Sequence, residues 1–125
     1  MMIRIPLFAA FIAASVCALP FSLRASEAEI VDAAASRAAD GWRFEVTVRH
    51  DDSGWDHYAD AWRIVGPDGA VYATRTLLHP HQDEQPFTRS IEGVSIPDNV
   101  SAVIIEARDN VTGWSGAVLE LMLPE

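Results

Sequence analysis

Across residues 42–49 apolar and polar side chains alternate without a break: Trp42, Phe44, Val46 and Val48 share one parity, Arg43, Glu45, Thr47 and Arg49 the other. A period of two places the two sets on opposite faces of a pleated backbone, so the segment predicts a half-buried strand. His50 continues the apolar parity. Weaker alternation precedes it over residues 29–36, closed by the turn signal Ala39-Asp40-Gly41. Residues 59–65 carry Trp62 and Ile64 in register and run into Gly66-Pro67-Asp68-Gly69, a strong turn signal. Further strands are expected over 70–78, 87–94, 100–108 and 117–123, with Ile96-Pro97-Asp98-Asn99 as another turn. No helix is expected. Seven short strands at this spacing predict an all-β fold, an antiparallel β-sandwich of seven strands.

Over residues 28–124 this pattern resembles the immunoglobulin or fibronectin type III architecture, with Trp62 on the third strand where such sandwiches keep a core tryptophan. The resemblance implies an immunoglobulin-like sandwich whose binding functions sit in the loops at one end. It lacks the inter-sheet cysteine pair and a tyrosine near the start of the sixth strand. The strings HPHQDEQPFTRS and GWDHYADAW are also similar to those of small exported bacterial proteins, a likeness that implies export and no activity.

Ahead of the strands, Arg4 and the apolar run 5–21, interrupted by Pro6 and Pro20, have the form of an export signal. Residues 1–25 are expected to be a signal peptide cleaved after Ala25, leaving residues 26–125 as one β-sandwich domain. The run is short for a membrane span, which takes about 20 apolar residues, so no stable span is expected after cleavage. Cys17, in Ala14-Ser15-Val16-Cys17, offers lipid attachment as the alternative, with Ala14 and Val16 at positions that such sites fill with Leu and with Gly or Ala. The expected location is periplasmic or extracellular.

Removal of the leader alters the charge. The whole chain has nine cations, all arginine, against eighteen acids, for a net −9. With Arg4 and Arg24 gone, seven arginines remain against the same eighteen acids, and the balance moves to −11. So acidic a surface excludes nucleic acid as a partner and attracts cations. Cys17 is the sole cysteine, so the mature domain has no thiolate nucleophile, disulfide or cysteine ligand. No nucleophile constellation, phosphate loop or opposed pair of acids is present, and the domain is expected not to be an enzyme.

In an antiparallel sandwich alternate connections share an end. One end collects the tight turns at 39–41, 66–69 and 96–99. The other collects 50–60, 79–86 and 109–116, and with them all four histidines. Pro80 holds His79 extended, so His79 and His81 are expected to project from one side, near enough to share an ion. With His57 and His50 they form the expected metal site, with Asp56 and Glu84 as further possible ligands. Imidazoles suit copper(II) and zinc, while blue-copper chemistry lacks its cysteine. His50 alone is also expected to be a hydrogen-bonded polar cap on the core.

Trp55, Tyr58 and Trp114 belong to the same end and are expected to dock an envelope protein or a glycan; the opposing expectation folds both tryptophans inward as lids. Arg89 is expected to latch the histidine loop beside Glu84. The functional expectation is therefore a periplasmic copper(II)- or zinc-binding module, or alternatively an envelope recognition module acting through the aromatics.

Overall fold

The computed structural model describes residues 26–125, so the expected leader, its cleavage point and Cys17 lie outside the described residues. Among the described residues the chain forms eight strands and no helix. These are β1 (Glu29–Ala38), β2 (Gly41–Arg49), β3 (Ala59–Val65), β4 (Val71–Thr76), β5 (Phe87–Val94), β6 (Ala102–Asp109), β7 (Gly113–Trp114) and β8 (Leu119–Met122). They make two antiparallel sheets, one ordered β1-β2-β5, the other β4-β3-β6 with β7 and β8 both paired to β6.

The sheets enclose the core that the alternation predicts. β2 contributes Trp42, Phe44, Val46 and Val48, β3 contributes Trp62 and Ile64, and β6 contributes Val103, Ile105 and Ala107, all in one buried cluster with Phe87 of β5. Burial of each large apolar side chain is worth about 1.5–3 kcal/mol relative to exposure. Arg43, Glu45, Arg63 and Glu106 occupy the outward parity and pair there, Arg43 with Glu45 and Arg63 with Glu106.

One detail departs from the expected seven strands. Residues 113–114, inside an expected loop, pair with Arg108 and Asp109 as a two-residue strand. A strand of two residues has no periodicity to detect; it forms because Asp109 gathers the backbone of the intervening turn. The fourth strand lies beside β3, a placement that the alternation alone leaves open. The connection explains this placement. Gly66 N–H donates to Ala70 O at 2.7 Å and Gly69 N–H to Gly66 O at 3.0 Å, closing a turn so short that β4 folds straight back onto β3.

At one end of the sandwich the inward parity continues past the apolar residues. On β2 it runs 44, 46, 48 and reaches His50; on β6 it runs 103, 105, 107 and reaches Asp109. Both are buried, so the core is closed at this end by polar side chains.

Candidate functional site

The connections 50–58, 77–86 and 110–118 meet at this end and are tied together by hydrogen bonds. The side chain of Gln82 donates to Ser53 O at 2.7 Å, and that of Asn110 to Trp55 O at 3.0 Å. Asp52 stands at the centre. One of its oxygens accepts from His50 Nδ1 at 2.5 Å and from Ala59 N–H at 2.9 Å, and the other accepts from His81 N–H at 2.7 Å. A buried carboxylate with three donors is satisfied, and it fixes the ring of His50.

His50 Nε2 meets Ser26 O at 2.8 Å. Both ring nitrogens of His50 are thus engaged by oxygen atoms. The expectation of a hydrogen-bonded polar cap describes this geometry. The edge of one imidazole faces the other across the site, with the His50 and His57 ring centroids 4.6 Å apart and the planes at 73°. His57 Nε2 in turn lies 3.0 Å from Asp109 Oδ1.

Asp109 is fully buried. Burial alone pushes its carboxyl up, but the Thr112 hydroxyl, the N–H groups of Thr112 and Val111 and the ring of His57 all hydrogen-bond to it and hold it below the usual carboxylate range. It is therefore an anion at neutral pH. One ligand atom from each of His50, His57 and Asp109 lies within 4.8 Å of the other two. Beside His50 opens a cavity of about 360 Å³, lined also by Glu27, Glu29, Asp51 and Arg49, the last paired with Glu29.

His79 and His81 do come together, with ring centroids 4.5 Å apart, but no third ligand residue among the described residues joins them within 4.8 Å. The four histidines thus form two pairs. Arg89 accounts for the second pair's chemistry: its guanidinium donates to His81 Nε2 at 2.9 Å, which occupies that lone pair and leaves the hydrogen on Nδ1. His81 Nδ1 is buried without a partner, and the ring stacks on Phe87 at 3.9 Å. Desolvation, then the charges of Arg89 and His79, push its pKa below the ordinary value and keep the ring neutral. The guanidinium on Nε2 sets a positive charge where an ion would bind, which disfavours His81 as a ligand. His79 is exposed and donates to its neighbour Pro80 O at 3.0 Å. The expected additional ligands stand apart from the trio: Asp56 is exposed on a turn, and Glu84 faces Arg89 at 3.5 Å as the latch expectation has it.

The aromatics also divide. Trp55 is 66% exposed and meets Tyr58 edge to face at 5.5 Å, so it forms no lid over the core. Trp114 lies on the outer face of the second sheet, where the Arg63 guanidinium covers it at 3.8 Å.

Asp52 and Asp109 were not among the expected site residues. Asp109 had a signal, since it continues the inward parity of residues 103, 105 and 107 and opens Asp-Asn-Val-Thr, a sequence suited to a side-chain-capped turn. Asp52 had none. Adjacent to Asp51 in a polar loop, it is distinguished only by the fold.

The chain is similar to a Halomicrobium mukohataei protein named "Putative lipoprotein", with 37% identity over 97 residues, or 74% of this chain and 46% of that protein. It thus spans about half the length of this relative. No family model matches, immunoglobulin and fibronectin III families included, and no solved structure matches. Among the described residues no helix is long and apolar enough to cross a membrane.

Proposed function

We propose that this chain is an exported, envelope-associated binding domain without catalytic activity of its own, which takes up one zinc or copper(II) ion through His50, His57 and Asp109. The observation that carries the reading is the convergence of two imidazoles and an anionic carboxylate, one ligand atom each, within 4.8 Å. Two nitrogens and an oxygen suit either metal. Asp52 adds the carboxylate behind a ligating histidine that orients such rings. Export is supported by the leader-like residues 1–25 and by the name of the relative.

An ion competes with hydrogen for the ring nitrogens of His50 and His57, which Asp52, Ser26 and Asp109 engage in the free site. Affinity therefore falls as pH falls. Calorimetric titration of the untagged protein with each metal is expected to give one equivalent bound. At a hundred times the dissociation constant the fold gains about 2.7 kcal/mol, which raises the melting temperature by about 10 °C for a domain of this size. His57→Ala is expected to abolish the heat and the shift, while His79→Ala leaves both intact. Absence of binding with either metal, or unchanged binding by His57→Ala, would reject the assignment.

A further inference from the structure

The rim above this centre carries a second feature that metal binding does not use. Ser53 N–H donates to His57 O at 3.0 Å and His57 N–H to Gly54 O at 3.2 Å, so Trp55 and Asp56 are the two central residues of a closed turn. Gly54, at φ 138°, supplies a backbone conformation that side-chain-bearing residues rarely adopt. Asn110 clasps the turn from the neighbouring connection: its side-chain amide donates to Trp55 O, and its side-chain oxygen accepts from Tyr58 N–H at 2.9 Å. An indole is thereby held in solvent on a rigid turn, with the Tyr58 ring against it and the exposed Val111 following Asn110. An exposed aromatic anchor with little freedom left to lose is the element that concentrates binding energy in protein interfaces.

Charge identifies the occupant. Three arginines near this end are engaged, Arg49 with Glu29, Arg89 with His81 and Glu84, and Arg108 with Asp60, while Arg75, near the end of β4, forms no ion pair among the described residues. Asp51, Asp56 and Asp83 are exposed, and none pairs with an arginine among the described residues. Asp56 is Trp55's neighbour in the turn, and Asp83 follows Gln82, whose side chain bonds Ser53. An aromatic and apolar centre inside an acidic rim complements a segment that alternates cations with apolar side chains, with arginine able to stack on the indole as well as to meet the carboxylates. We propose that the Trp55 turn docks a basic, apolar-bearing protein segment, with Trp55 as anchor and Asp56 and Asp83 as the charged rim.

The probe is a short synthetic peptide alternating arginine with leucine, titrated into the full chain by calorimetry, with its glutamate–leucine counterpart and a neutral oligosaccharide as comparisons. Binding of the arginine peptide alone is expected, weakened about tenfold or more by Trp55→Ala and by several-fold in the double variant Asp56→Asn with Asp83→Asn, while Trp114→Ala leaves it unchanged. Because Trp55 is exposed, its variant is expected to melt with the wild type, which separates lost docking from lost fold. Equal affinity of Trp55→Ala and wild type would reduce the binding to diffuse attraction by an acidic surface and overturn the proposal. So would equal binding of the acidic peptide, or a response to the oligosaccharide alone.

Discussion

Asp52 shows how much one side chain can determine at this end of the molecule. Its two oxygens fix the ring of His50, the start of β3 at Ala59 and the backbone of His81, three points that are remote in sequence and adjacent in space. Asparagine keeps one acceptor oxygen but turns an NH2 toward one of these donors and removes the charge, and broken buried pairs of this kind cost about 3–5 kcal/mol. Asp52→Asn is therefore expected to lower the unfolding free energy by about 3 kcal/mol or more in urea titration, whereas Asp51→Asn, one residue away and exposed, changes it by less than about 0.5 kcal/mol. Equal effects from the two would mean that the network does not anchor the loops. The contrast also marks a limit of the sequence. Asp51 and Asp52 are the same residue in the same loop, and only the path of the chain turns one of them inward.

At the level of strands far more was legible, because a period of two is a direct consequence of the pleat. The buried faces of β2 and β6 follow the alternation residue by residue, and it extends to His50 and Asp109, the polar ends of those faces. Connections are where the sequence ran out. Nothing in the pattern announced β7, nor that the four histidines would stand as two pairs with Arg89 reaching His81 from β5. The β1–β2 turn gives a sharper test of element-level reasoning. Gly41 has φ 129°, and a Cβ there would meet Val94 O at 2.7 Å, whereas Gly69, at φ 86° in the β3–β4 turn, has nothing within 4 Å of that position. Gly69→Ala meets only the backbone penalty, about 1–2 kcal/mol. Gly41→Ala adds a clash with the end of β5, and its melting temperature is expected to fall further than that of Gly69→Ala.

For the molecule as a whole, acid is the condition that connects these parts, and the sign of its effect follows from His81. This ring is neutral in the folded state because burial, Arg89 and His79 all disfavour a second proton, against weaker opposing pulls from Asp52 and Glu84. In the unfolded chain the same ring titrates at its ordinary value of about 6.5. Below that pH the unfolded state binds a proton that the folded state refuses, so the contribution of His81 is complete above about pH 6.5 and is lost as pH falls toward the depressed folded value. His81→Gln isolates the effect: glutamine keeps an oxygen to accept from Arg89 and cannot titrate in this range. Urea unfolding across pH 5–8 is expected to show the wild type losing stability below about pH 6.5 more steeply than His81→Gln, the other three histidines being common to both. Parallel profiles would show that the Arg89–His81 contact yields to protonation without cost, and that the loop end is softer than its hydrogen bonds imply.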